Sequence, residues 1–374
     1  MRILQLGRFY PPDVGGIETV IFEIAEGLNS NDVVCDVLCS NKINKLDIST
    51  VGKYKVIRSP SLTHILSTSI SPFLISQLRK VIKDYDIIHL HHPDPMATVA
   101  LLACRGKQRI VVHWHSDIVR QKFALIFFRP LQEMLLRKAN RIIVTSRNYL
   151  DTSEDLKKFK AKAAVIPIGI NAEMEGNPSK LHSLRTRYAK KTIVFSLGRH
   201  VYYKGLEYLI DSALYLSNDF IIIIGGDGPL TPALKQRIMA KGLESKVELT
   251  GRIPFSEIHS YYEACDIFCL SSIERSEAFG VVLLEAMSLG KPLVATNIPG
   301  SGANWVNQHG ETGINVPPQD AEALANAFKR IISDSELKRK FGQQSKARYQ
   351  KMFTRKAMVD QLEELYSSIL NESR

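Results

Sequence analysis

The chain has 374 residues, of which 45% are hydrophobic and 23% charged, and a formal net charge of +11. That length exceeds what one hydrophobic core usually serves, so two domains are expected. No apolar run reaches the ~18–20 residues of a membrane span and residues 1–10 lack a signal peptide's apolar core and cleavage site, which argues against a helical membrane protein and for a cytosolic one.

Residues 2–6 (RILQL) are expected to form a short strand, followed by the loop GRFYPPDVGG and the helical pattern IETVIFEIAEGL. Gly15 and Gly16 stand between strand and helix, where glycine lets the backbone approach a phosphate, although a plain βα turn needs them too. Glu18 favours the helix N-terminus. Further strands are expected at 33–39, 54–58, 87–91, 109–115 and 141–146, and in the second half at 192–199, 220–228, 247–253, 266–272, 292–297 and 313–316, with helices between. This alternation predicts an α/β protein of two doubly wound parallel sheets, with ligands in a cleft lined by the strands' carboxyl ends. The linker falls at 170–190, where NAEMEGNPSK gathers Asn, Gly, Pro and Ser, between domains at 1–172 and 185–354; the last helix, about 355–374, is expected to return to the first domain.

Several constellations bear on chemistry. The five cysteines, in two Cys-x3-Cys pairs and a singleton, read as buried free thiols, because the number is odd and the spacing poor for zinc. Histidines cluster in IIHLHHPDP and VVHWHSD, but no carboxylate or cysteine completes a metal set, so none is assigned. Within the second cluster, His113 is expected on the opposite face of the strand from His115 and is read as structural. Asp84-Tyr85-Asp86 precedes a strand instead of following one, which suits a turn better than a metal site. IIIIGGDGPL lacks the third glycine of a dinucleotide fingerprint.

Residues 117–141 interleave Arg120, Lys122, Arg129, Arg137 and Lys138 with Phe123, Leu125, Ile126, Phe127, Phe128 and Leu131. That mixture fits a helix lying on an anionic membrane surface, or a buried helix with basic ends. Residues 1–170 carry 24 Lys+Arg against 15 Asp+Glu, so most of the net charge lies in this half.

Gly198-Arg199 ends one predicted strand and Lys204-Gly205 follows, two cations that suit a diphosphate or, alone, a solvated surface. In the second half, IERSEAFG reads as a loop that holds Glu277 and VVLLEAMSLG as the following helix, which holds Glu285. The amides of residues 279–282 would then seat a phosphate or a sugar hydroxyl. Read singly, Glu274 and Glu277 are better taken as exposed loop acids.

Glu277-Ala278-Phe279-Gly280-x4-Glu285 resembles the E-x7-E motif of retaining GT-B glycosyltransferases of family 4. The glycine loop, His115, Arg199…Lys204 and Gly251-Arg252 occur in the family's order, so the resemblance covers nearly the whole chain. It implies a GT-B fold: two Rossmann-like domains facing a cleft, with the acceptor on the first and the nucleotide sugar on the second. The implied donor-binding residues are Gly15, Gly16, Arg199, Lys204, Arg252, Ile253, Glu277, Ala278, Phe279, Gly280, Val281, Val282 and Glu285. Arg199 and Lys204 would bind the diphosphate, Glu277 would orient the sugar, Glu285 would hold the ribose, His115 would lie near the reacting sugar, and Asp117 would contact the acceptor. The implied activity is retaining, metal-independent transfer of a hexose, mannose from GDP-mannose by preference, to a saccharide hydroxyl on a lipid carrier. The enzyme would then sit peripherally at the inner face of the cell membrane, with no cofactor beyond its nucleotide sugar. Alternatives are a UDP-hexose donor, a sugar-nucleotide epimerase and, from another class, a basic nucleic-acid-binding protein, although its charges are interspersed with acids and not striped.

Overall fold

A computed structural model describes residues 1–13, 15–65, 68–118, 122–172 and 176–372, and the chain divides into two compact units: residues 1–170 with 354–374, and residues 171–353.

The first unit is built on eight strands. They are β1 (Arg2–Gly7), β2 (Val34–Ser40), β3 (Asp47–Val51), β4 (Tyr54–Ser59), β7 (Ile87–His92), β8 (Arg109–Trp114), β9 (Arg141–Val144) and β10 (Ala163–Val165), with a separate hairpin of β5 (Thr63–Ile65) and β6 (Thr68–Ile70). The sheet order is β10-β9-β8-β7-β1-β2-β4-β3, parallel except where β3 pairs antiparallel with β4. Helices α1 (Gly16–Ser30), α2 (Phe73–Val81), α3 (Pro95–Ala103), α4 (Lys122–Lys138) and α5 (Arg147–Thr152) connect the strands. Ile3, Leu4, Val37, Leu38, Ile88, Val111, Val112 and Ile143 are all fully buried, so adjacent residues, which point to opposite faces of the sheet, are covered alike.

The second unit has one six-stranded parallel sheet, made from β11 (Thr192–Leu197), β12 (Phe220–Gly225), β13 (Val247–Gly251), β14 (Ile267–Leu270), β15 (Leu293–Thr296) and β16 (Gly313–Val316), in the order β13-β12-β11-β14-β15-β16. Its helices are α6 (Pro178–Arg187), α7 (Leu206–Ser212), α8 (Thr231–Ala240), α9 (Phe255–Ala264), α10 (Val281–Ser288), α11 (Ala303–Val306), α12 (Ala321–Ser333) and α13 (Ser335–Met352). Val194, Ile222 and Ile224 of the sheet pack with Leu209, Ile210, Leu324, Phe328 and Ile331 of α7 and α12.

Two expectations are corrected. The stretch 170–190 is not all linker: Asn177 accepts from the Lys180 amide and caps α6, and Pro178 occupies its first turn, so Pro and Asn here start a helix. Strands β3, β5, β6 and β10 were not anticipated, because DISTV and the three-residue segments carry too little apolar pattern. Helix α10 begins at Val281, where the run VVLLEAMSLG places it, since Gly280 holds φ 81°, a left-handed conformation that keeps it outside the helix.

The last helix, α14 (Arg355–Asn371), belongs to the first unit and packs on α1. Met358, Val359, Leu362, Tyr366 and Ile369 form its buried stripe at helical spacing. Arg355 Nε donates to Glu23 Oε2 at 2.5 Å, and Ile170 accepts the Arg355 amide at 2.9 Å. Leu362→Ala, at a fully buried position, is expected to destabilise this unit by about 2–5 kcal/mol, measured by denaturant unfolding.

Candidate functional site

In each sheet the chain starts at a central strand, adds strands on one side and then turns to the other. Crevices at the carboxyl ends of the two strands where the order reverses are where ligands of such sheets bind. Those strands are β1 and β7 in the first unit, and β11 and β14 in the second.

At the reversal in the second unit, Arg199 and Lys204 follow β11, while Glu277 and α10 follow β14. The two connections are tied together: the Ile273 amide donates to the Tyr203 carbonyl at 2.8 Å, and the Ser271 hydroxyl to the Lys204 carbonyl at 2.9 Å. Glu277 is 8% exposed, not a solvated loop acid. Its Oε2 accepts from Lys204 Nζ at 2.6 Å and from the Ser272 hydroxyl at 2.9 Å, and the Ser301 hydroxyl donates to its carbonyl. Burial opposes the charge on Lys204, but the Glu277 carboxylate outweighs it and holds the ammonium pKa above its ordinary value. Charge and countercharge are thus buried together, the arrangement in which loss of one partner is most costly.

Arg199 is exposed beside this pair. Ala278 accepts from the Gly302 amide at 2.7 Å, and buried Phe279 packs against Trp305 and Phe353. Gly280 caps α10, whose first amides, at Val281 and Val282, have no carbonyl of a preceding turn to pair with. Glu285 stands one turn further, partly buried. Arg252 is exposed after β13, and buried Ile253 lies over Gly225. Ser272 was not anticipated; its signal was a small hydroxyl residue at a strand's carboxyl end.

At the reversal in the first unit, Gly15 and Gly16 open α1. A Cβ at Gly15 would come within 2.2 Å of Glu18 Oε2, so the absence of a side chain lets Glu18 fold over the helix start. Glu18 is 4% exposed and accepts from Arg8 at 3.3 Å, so it does more than bias the helix start. Asp94, also buried, caps α3 through the Ala97 amide, and burial raises its pKa to about 6. Neither Arg8 nor Asp94 was singled out from the sequence, because each lies in a loop without periodicity.

His115 lies on the same face as His113, correcting the expectation of opposite faces: residues two apart in a strand share a side. Their rings stack at 4.2 Å between centroids, and His89, His91 and His113 stack at 4.8–5.4 Å. Gln5 Oε1 can only accept, so His91 Nε2 donates to it at 2.6 Å, which leaves His91 Nδ1 to accept from His115 Nε2 at 2.8 Å. Tyr366 of α14 hydrogen-bonds to His89 Nδ1. Ring nitrogens of His89, His91 and His113 lie within 4.8 Å of one another and could converge on a metal ion, although both nitrogens of His91 are engaged. Burial lowers the pKa of His115 to about 3, so at neutral pH the ring is a neutral imidazole. The Asp117 carboxylate accepts from Trp114 Nε1 at 2.9 Å and from the Ser153 hydroxyl at 2.7 Å, which anchors its own loop.

All five cysteines are buried free thiols, and no described helix is long and apolar enough to cross a membrane. In α4, Phe127 and Met134 are exposed, Arg137 pairs with Glu133, and Arg129 with Asp155. Arg120 lies outside the described residues, as do the side chains of residues 122–126.

Two family models match the chain: Glycosyltransferase Family 4 over residues 14–174, and Glycosyl transferases group 1 over residues 181–348. O-antigen chain mannosyltransferase C of Escherichia coli is 32% identical over 372 residues, covering 99% of each chain. D-rhamnosyltransferase WbpZ of Pseudomonas aeruginosa is 31% identical, covering 95% of this chain and 92% of its own. Among solved structures, Anabaena HepE in complex with UDP matches with a TM-score of 0.78 at 23% identity, over 98% of this chain and all of its own. Sucrose-phosphate synthase from Thermosynechococcus elongatus reaches 0.83 at 22%, over the whole of both. These two likenesses establish the fold.

The histidine stack makes the first unit acid-sensitive. Burial depresses His89, His92 and His115 to about 3 and His91 and His113 well below their ordinary value. Below about 6.5 the unfolded chain therefore binds protons that the folded chain refuses, and stability falls with pH. Asp94 acts in the opposite sense, since its contribution is lost as pH rises through 6, but five rings outweigh one carboxyl. The melting temperature is expected to drop between about pH 7 and about pH 5; a flat or rising profile would show the rings already charged.

Proposed function

The chain belongs to glycosyltransferase family 4, has the GT-B fold and transfers sugar in surface polysaccharide synthesis; from that membership we propose a retaining, metal-independent enzyme that moves mannose from GDP-mannose to a hydroxyl of a lipid-linked saccharide. The observation that carries the site is the meeting of two loops at the strand reversal of the second unit, where Lys204 and Glu277 pair at 2.6 Å beside Arg199 and the start of α10. The choice of mannose is supported by the 32% identity to an O-antigen chain mannosyltransferase.

In this reading the second unit binds the donor and the first binds the acceptor. The donor diphosphate lies against Arg199, Lys204 and the Val281 and Val282 amides, which stabilise the negative charge of the departing group. Lys204 is neutralised by Glu277 beforehand, so an arriving diphosphate competes with Glu277 for the ammonium. Glu277, held by Ser272, orients the sugar hydroxyls, and Glu285 takes the ribose. Gly15 and Gly16 bring backbone close to the donor, and Arg252 and Ile253 lie against the base. The acceptor hydroxyl attacks the anomeric carbon on the face the diphosphate leaves, and a phosphate oxygen takes its proton. The neutral ring of His115 adds no charge opposing the positive charge that develops on the sugar, and Asp117 acts by shaping the loop beside it. The exposed Arg129 and Arg137, with Phe127, support peripheral contact at the inner face of an anionic membrane.

Glu277→Ala is expected to reduce transfer by at least ~100-fold while largely sparing GDP binding, whereas Glu285→Ala weakens GDP binding. Equal small effects on both measurements would remove these roles. In a thermal-shift screen of nucleotide sugars with EDTA present, GDP-mannose is expected to raise the melting temperature most. Stabilisation by UDP-sugars instead would reassign the donor, and its loss with EDTA would overturn metal independence. Release of free sugar without an acceptor would favour an epimerase. Arg129→Glu with Arg137→Glu is expected to reduce co-sedimentation with vesicles containing anionic lipid several-fold, at roughly 1 kcal/mol per basic residue.

A further inference from the structure

Beneath Glu285 lies Tyr262 of α9, 2% exposed. Its ring meets Phe195 of β11 edge-on at 5.2 Å and Phe268 of β14 at 5.2 Å, so its place is fixed by the core. Phenylalanine would fill that space equally well. The hydroxyl is therefore the informative atom: its single proton faces two acceptors, the Val282 carbonyl, 3.3 Å away in the first turn of α10, and the Glu285 carboxylate one turn on, of which the charged carboxylate makes the stronger bond. Burial, with the Glu285 charge beside it, keeps the phenol protonated and so a donor at neutral pH. The α10 residues on either side of Glu285, Leu283, Leu284, Ala286 and Met287, are all buried, which fixes the helix but leaves the last torsion of Glu285 broad and roughly two-fold unless something pins it.

We propose that Tyr262 is a positioning residue that fixes the Glu285 carboxylate through its hydroxyl, so that the remaining lone pairs face a vicinal diol and the enzyme distinguishes ribonucleotides from 2′-deoxyribonucleotides. This rests on Glu285 being the ribose ligand. A carboxylate offers about four acceptor sites. With one engaged by a fixed donor from the core, two hydroxyls on adjacent carbons can be met together, and removal of one hydroxyl leaves an acceptor unpaired in a partly buried place. Without the phenol the carboxylate can turn to accept a single hydroxyl or water, and that penalty shrinks.

The test uses the full-length protein and calorimetric binding of GDP, UDP and their 2′-deoxy forms to the unsubstituted enzyme, Tyr262→Phe, Glu285→Ala and the double variant. The unsubstituted enzyme is expected to prefer the ribo form by about tenfold or more, and Tyr262→Phe to shrink that ratio by about 3–10-fold. The double variant is expected to match Glu285→Ala, since the phenol acts only through that carboxylate. If Tyr262→Phe keeps the full ratio while Glu285→Ala loses it, the positioning role is wrong and the ribose reading stands. If both nucleotide forms weaken together in Tyr262→Phe with the ratio intact, Tyr262 is structural only. If Glu285→Ala itself keeps the ratio, the ribose assignment fails, and the inference with it.

Discussion

The site in the second unit depends on a reversal of strand order. Because β11 and β14 are neighbours in the sheet but are separated in the chain by β12 and β13, the loops leaving them diverge to opposite sides and leave their backbone ends uncovered. The cation-bearing segment after β11 and the acid-bearing segment after β14 are brought together by that topology and not by their sequence separation. The Lys204 to Glu277 pair then closes the gap at close range. A buried ion pair of this kind gains little net stability over an apolar replacement, because desolvation offsets attraction. What it does at this position is hold two groups of opposite charge in one place at the strand ends.

The architecture was legible from the chain because parallel strands covered on both faces are written as uninterrupted apolar runs. FIIIIG and RIVVHW announce themselves, and the buried pattern of β12 shows why. Edge and peripheral strands were not legible: β3 reads DISTV with no residue buried, and its pairing comes from its neighbour β4 and not from its own composition. The helix start at Val281 was legible because the apolar run VVLLEAM follows directly on Gly280, whose left-handed conformation sets the boundary.

Side-chain partners were the least legible part of the site. Nothing in the spacing of Ser272, Tyr262, Gln5 or Tyr366 announces the residue that each meets, at separations of 5, 20, 86 and 277 positions. The acids and cations of the motif could be named from the chain; the hydroxyl and amide groups that aim them could not, since hydroxyl and amide residues are common everywhere and gain meaning only from what they face. The histidines illustrate the reverse. Their alternation was visible, but their stacking, their shared tautomers and the suppression of their charge all come from burial.

Helix α14 completes the first unit from residues that follow the entire second unit in the chain, which is inserted between Ile170 and Thr354. Tyr366, the phenol that hydrogen-bonds to His89, is therefore supplied some 280 residues after the ring it serves, a separation of 277 positions in the chain. Without this helix His89 would lack the Tyr366 phenol and the first unit the apolar stripe of Met358 to Ile369. Closure of the first unit thus waits on residues that follow the second, and a chain cut before α14 would carry every motif residue yet have an open flank on its first domain.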